Sequence, residues 1–207
     1  MSIHIEPCLA EIGELHPTQI TVGMGAVRRK RNHFHEMLRG KDVGARLGAI
    51  LVPVVIGPCG RLFVIDHHHL CLALSLIDQE HVSTRTEADL SSLPDKRFWA
   101  FMDARGWCHP YDERGQRKSF AAIPERLTDL VDDPYRGLAG ELRRAGGCAK
   151  EPAPFSEFLW ADFLRDKVPS ELLRDDFEAA IQLAQAVAKT DEASYLPGWC
   201  GPHGSAQ

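Results

Sequence analysis

Apolar positions change their spacing along this chain. Residues 50–56, Ile-Leu-Val-Pro-Val-Val-Ile, form an unbroken run rich in β-branched side chains that reads as a strand. Gly57-Pro58-Cys59-Gly60 supplies a turn and 61–65 resumes as a strand, so the pair predicts a hairpin. Pro53 has no N–H to give a ladder, which places its strand at an edge, a bulge or a strand start. After Asp66 the period switches. Leu70, Ala73, Leu74 and Ile77 recur at i, i+3, i+4 and i+7, one face of a helix. Residues 19–23 read as a short strand and 81–86 as a returning one. A helix is expected over 27–38, with Val27, Phe34 and Leu38 on one face and Gly40 as its stop, and a further helical piece before Gly48.

From Ser91 onward helical spacing dominates. Ser92 or Asp95 can cap a helix running through Phe98, Trp99 and Met102 to Gly106, followed by a polar loop over 107–122. Residues 124–131 and 134–145 read as two short helices with proline in the first turn. Residues 155–167 carry an apolar face of Phe155, Phe158, Leu159 and Phe163. One long helix is expected over 170–189, with Leu173, Phe177, Ala180, Ile181, Ala184 and Ala188 inward, and a loose tail after Tyr195. The fold class predicted is α+β. A small mixed sheet with helices spans 1–90, and a helical extension over 91–207 packs on it to make one compact domain, since no flexible linker separates the two.

Composition and charge narrow the function classes. Of 207 residues 44% are apolar and 26% charged, ordinary for a chain with a packed core. The net charge of −5 gives no overall help to binding DNA through its phosphates, although Arg28, Arg29, Lys30 and Arg31 form a local basic run that could do so. A solvated helix face explains that run more simply. No apolar stretch approaches a membrane span, and the first residues have neither a basic n-region nor a long apolar core. A cytoplasmic protein with free thiols at Cys8, Cys59, Cys71, Cys108, Cys148 and Cys200 is the expectation.

The chemistry concentrates at 66–69, Asp-His-His-His, where a strand gives way to a helix. Asp66 is expected at the N-cap with His67, His68 and His69 in the first turn. Unpaired backbone N–H groups and the positive end of the helix dipole there favour an anion, phosphate above all. A carboxylate in that place can cap the helix, hold a divalent cation or act as a base. Imidazoles can bind phosphate or move protons near neutral pH. Successive helical residues diverge by about 100°, so three adjacent histidines do not converge on one metal.

The strand, turn, strand, Asp-x-His-His, helix arrangement resembles the ParB/sulfiredoxin-like superfamily, over roughly residues 8–90. Segments 15–23, 53–69, 132–140 (Asp-Asp-Pro-Tyr-Arg-Gly-Leu-Ala-Gly) and 154–165 resemble its ParB-like nuclease branch. The resemblance implies a turn that contacts nucleotide phosphates, and it implies nuclease or nucleotide-dependent phosphotransferase activity. A nucleotide or other phosphate-bearing substrate would be the partner. Mg²⁺ or Mn²⁺ and a nucleoside di- or triphosphate are the cofactors it brings to mind. On this reading Asp66, His68 and His69 are catalytic. Asp66 holds the cation or polarises a nucleophile, and His67, His68 and His69 meet phosphate. Two positions depart from the usual Asp-Gly-His-His-Arg turn: His67 stands for Gly and Leu70 for Arg, removing a guanidinium fork suited to phosphate. His68 occupies the sulfiredoxin cysteine position, which disfavours sulfinic acid repair. The early helix lacks the acid of kinase-like members, Glu36 being poorly placed to replace it.

The alternative is a non-catalytic DNA-binding or partition-like accessory protein, which would use the basic run, or a scaffold that has lost catalysis. Trp99, Trp107, Tyr111, Tyr135 and Trp160 could offer stacking surfaces to bases, with core packing the simpler reading for Trp99 and Trp160. Cys108, His109, Asp112 and Glu113 could form a polar wall. Nucleotide-binding Gly-rich loops, Gly-x-Ser-x-Gly and His-Glu-x-x-His are absent from the sequence.

Overall fold

A computed structural model describes residues 7–37, 50–151 and 155–202. The chain divides into two compact units, Met1–Asp132 and Asp133–Gln207. Residues 91–132, assigned from sequence to the helical extension, are therefore part of the first unit. Both units together make the expected α+β protein.

In the first unit five strands form a mixed sheet: β1 (Cys8–Glu11), β2 (Leu15–His16), β4 (Leu51–Ile56), β5 (Leu62–Val64) and β6 (His81–Asp89), in the order β1-β6-β4-β5-β2. The hairpin is present, with β4 and β5 antiparallel, while β4 pairs with β6 in parallel. Strand β4 lies in the middle of the sheet, not at its edge. The missing N–H of Pro53 is accommodated beside a bulge between Val54 and Val55. Val52 and Val54 enter one core with Val64, Leu70, Leu72 and Leu74, whereas Val55 enters another with Phe63, Phe98 and Met102. Burial on both faces explains the unbroken apolar run. Strands β3 (Thr21–Val22) and β7 (Val131–Asp132) form a separate parallel pair.

Among the described residues this unit also has three helices: α1 (Met24–Met37), α2 (His68–Ser75) and α3 (Asp95–Ala104). Helix α1 buries Val27 and Phe34 as expected. Leu38, Gly40 and the helical piece before Gly48 lie outside the described residues. Helix α3 begins after Pro94 with no side-chain cap, so neither Ser92 nor Asp95 is its N-cap. The helix expected over 124–131 is a single 3₁₀ turn, Leu127–Asp129, followed by β7. Its two buried leucines, Leu127 and Leu130, need only one turn to reach the core.

The second unit is helical: α4 (Pro134–Arg144), α5 (Ser156–Lys167), α6 (Ser170–Asp175) and α7 (Phe177–Ala188). Leu138, Leu142, Trp160 and Leu164 meet Ala180, Ala184 and Ala188, a four-residue repeat of small side chains that lets helices approach closely. The single long helix expected over 170–189 is two helices. Asp176 breaks it, and its carboxylate caps α7 by accepting from the Ala179 N–H at 3.0 Å. Phe177, expected inward, is therefore left 42% exposed. The tail after Tyr195 is tied down as far as Gly198. Leu196 is buried, the Trp160 indole donates to the Pro197 carbonyl at 2.8 Å, and the Ala149 N–H donates to that of Gly198 at 2.7 Å. A Cβ on Gly198, whose φ is +74°, would stand 2.2 Å from the Ala149 carbonyl oxygen.

Candidate active site

The strand β5 ends at Val64, and the Ile65 N–H still reaches back to the Pro53 carbonyl. The chain then turns through Asp66 and His67 into α2. His67, not Asp66, is the N-cap, and it adopts a left-handed conformation with φ 71°. A residue earlier than expected, Asp66 cannot reach the second or third helical N–H. It accepts instead from the His67 N–H at 2.6 Å, and its other oxygen lies 3.3 Å from His67 Nδ1. These contacts, the side-chain one foremost, hold the Asp66 carboxyl down at about 2 against the opposing effect of burial. The carboxylate is thus ionised throughout the range in which the protein would work.

His67 pays a backbone cost for this arrangement, because a left-handed conformation strains any residue with a Cβ. His67→Gly is expected to raise stability by up to about 1 kcal/mol, read as a higher urea midpoint, while removing the imidazole from the turn.

The other two histidines face inward. His68 is 5% exposed, and its Nε2 accepts from the Thr18 N–H at 3.1 Å. The Thr18 hydroxyl, 3.3 Å from the same nitrogen, donates its proton to the Val64 carbonyl at 2.7 Å. A nitrogen that accepts a backbone N–H carries no proton, so this geometry selects the tautomer protonated at Nδ1. His69 repeats the device: its Nε2 accepts from the Gly23 N–H at 3.1 Å, just before α1 begins. His68 and His69 therefore fasten the head of α2 to the connections on either side of β3, while Asp66 and His67 remain at the surface. The turn brings together Asp66 and His67, and sends His68 and His69 to different backbone partners.

Leu70, where the resemblance expects arginine, is buried in the first core. Cys71 is fully buried and its thiol is pushed up to about 12, mainly by burial, which makes it a packing group. Arg28, Lys30 and Arg31 lie exposed on α1, which buries Val27 and Phe34, with Arg29 half-buried. Among the described residues no three His, Cys, Asp or Glu side chains stand close enough to share a metal ion.

Thr18, Gly23 and Asp132 escaped sequence reasoning. Asp132 accepts from the Met24 N–H at 2.8 Å and so caps α1 from 108 positions away. A cap supplied from that distance leaves no local signature, and backbone donors such as Thr18 and Gly23 leave none at all.

Comparison with known proteins fits this architecture. The family described as "Putative ParB-like nuclease" matches residues 8–166, most of the chain. The protein belongs to that ParB-like family. A solved structure, the crystal structure of protein Atu1540 from Agrobacterium tumefaciens, is similar at 48% identity and a TM-score of 0.87. The match covers 95% of this chain and 99% of that one. No curated protein matches. The ParB-like relationship carries through β4, β5 and the head of α2, and extends past the end of the first unit into α5. No described helix is long and apolar enough to cross a membrane.

Proposed function

We propose that this ParB-like protein is a phosphodiester-cleaving enzyme whose reacting pair is Asp66 and His67. The observation that carries the reading is the contact of the Asp66 carboxylate with His67 Nδ1, 3.3 Å at the surface end of α2. A carboxylate on Nδ1 orients the ring, fixes its tautomer and stabilises the imidazolium. Nε2, across the ring, is then the base that takes a proton from water as its oxygen attacks phosphorus and the ester oxygen leaves. The helix end supports the same reading, since no side chain caps α2 and its positive pole favours the charge that builds on the phosphoryl oxygens. His68 and His69 hold this turn in place in this proposal and do not move protons.

A hard divalent cation, Mg²⁺ or Mn²⁺, would take Asp66 as its protein ligand, with phosphate oxygens and water filling the other positions. Such an ion would supply Lewis acidity toward the phosphoryl group. A cytoplasmic setting is part of the proposal. The test is hydrolysis of a labelled DNA oligonucleotide with Mg²⁺ or Mn²⁺, run beside a nucleoside triphosphate as the competing substrate class. His67→Ala is expected to lower turnover by about 10²–10⁴-fold, and Asp66→Asn to act in the same direction. Turnover unchanged in both variants rejects the pair.

A second reading is favoured by the exposed cations of α1. As a non-catalytic DNA-binding protein, the chain would bind duplex DNA with an affinity that falls steeply with salt and weakens when Arg28, Lys30 and Arg31 are neutralised.

A further inference from the structure

Residues 107–111, Trp-Cys-His-Pro-Tyr, alternate in burial. Cys108 and Pro110 are buried, while Trp107, His109 and Tyr111 are half-exposed. Period-two burial is what an extended backbone imposes, and this backbone bridges to Gln19 at His109 and to Arg117 at Tyr111. The three rings therefore stand on one side of the segment. His109 and Tyr111 stack with centroids 4.3 Å apart and planes 21° from parallel.

The row is accompanied by cations. The Arg105 guanidinium lies 4.9 Å from the Trp107 ring centroid, and that of Arg117 lies 5.8 Å from Tyr111, held there by Asp103 at 2.7 Å. Between residues 95 and 118 six lysines and arginines stand against four acids, with Arg114, Arg117 and Lys118 paired to Glu113, Asp103 and Asp112, so the small positive excess rests mainly on Lys96, Arg97 and Arg105. The row is also anchored to the candidate site. The His109 N–H donates to the Thr18 carbonyl at 2.8 Å, and Thr18 is the residue whose own N–H is accepted by His68. A fold that needed these rings only as core would have buried them, as it buries Phe98 and Trp160.

We infer that Trp107, His109 and Tyr111, with Arg105 and Arg117, form a nucleobase-stacking surface, and that unpaired nucleic acid is the substrate class of the Asp66–His67 site. The inference rests on the phosphodiesterase reading above. Half-exposed rings flanked by guanidinium groups can meet bases only where the bases are splayed out of a duplex, and the neighbouring positive charge complements the backbone of such a strand. Stacking on aromatic side chains tolerates any base, so the surface would select strandedness and not sequence.

The test is fluorescence anisotropy with a labelled oligothymidylate of about 20 nucleotides, chosen to exceed the ~4–16 nucleotides of a stacking site. An abasic strand of the same length and a duplex serve as competitors. Wild-type protein is expected to bind the oligothymidylate at least about tenfold more tightly than the abasic strand. Tyr111→Ala and Trp107→Ala are expected to lose about that factor, and Tyr111→Phe to keep it. Equal affinity for the abasic and base-bearing strands overturns the inference without reference to any variant. So does unchanged affinity in folded Tyr111→Ala and Trp107→Ala. His67→Ala is expected to bind like wild type and not cut. Cleavage by His67→Ala would remove the proposed catalytic pair and leave the stacking surface standing. Loss of cleavage in His67→Ala, with no base dependence of binding, would do the reverse.

Discussion

His68→Ala is expected to destabilise the first unit by about 3–5 kcal/mol. The ring is nearly fully buried, and its removal leaves a cavity between α2 and the segment before β3. It also strips the Thr18 N–H of its acceptor, in a residue that is itself 1% exposed. An unmet buried donor forfeits its full desolvation cost, beyond the lost packing. Glutamine places Oε1 close to where histidine carries Nε2, so His68→Gln should recover about half the loss. Hydrogen exchange at the Thr18 amide measures both effects. The pair of variants also separates positioning from chemistry. If His68 positions the turn, His68→Gln regains turnover together with stability. If His68 transfers a proton, His68→Gln regains stability alone, and an alanine variant as stable as wild type would discard the strut altogether.

The parts of the fold that could be read from sequence are those whose pattern comes from burial along a contiguous segment. Strands β4 and β5, helices α2 and α4, and the turn at Gly57–Gly60 belong to this class, because each carries its own apolar run, period or breaker. Strands β1 and β2 were invisible for the opposite reason. They are short, and β1 exposes three of its four residues, so it is a strand only because β6 lies beside it. The break at Asp176 was hidden by a period that continues through it. Leu173 and Ala180 keep helical spacing on both sides, and the only local sign is a capping residue inside an apparently continuous helix.

At the candidate site the location was legible and the directions of the side chains were not. Asp66 and the histidines announce an element boundary, and about 100° between neighbours in a helix already says that the three rings diverge. Which ring faces outward depends on the left-handed turn at His67, which begins the helix one residue later than a capping aspartate would. That shift sends His68 and His69 to Thr18 and Gly23, and leaves the acid with His67 as its partner. Leu70 follows from the same rotation, since its position turns into the core and has no room for a charged fork. If this turn meets phosphate, its donors are the N–H groups of the helix end, and the guanidinium of the usual pattern has no counterpart at position 70.

Asp133→Ala is expected to cost the second unit about 4–6 kcal/mol, the sum of a lost cap and a broken buried ion pair. The Asp133 side chain is 3% exposed. One oxygen caps α4, accepting from the Tyr135 N–H at 3.0 Å and more distantly from that of Arg136. The same carboxylate receives Arg165 of α5 through both terminal nitrogens, at 3.3 and 3.0 Å. The guanidinium also lies over the Tyr135 ring, so the acid, the helix start and the ring form one assembly. Asp162 cannot take over the pairing. It approaches Arg165 only at 3.5 Å, and burial already raises its own carboxyl. The alanine variant would take from Arg165, 18% exposed, its two contacts with the Asp133 carboxylate. Removing the charge as well should therefore help. Asp133→Ala with Arg165→Met is expected to be more stable than Asp133→Ala alone by at least about 1–2 kcal/mol, because a broken ion pair costs more than an absent one. Amide exchange in α4 and α5 is the appropriate measurement, since the two units need not unfold together. A double variant no more stable than the single one would show that the loss lies in the cap, and that Arg165 contributes little through its charge.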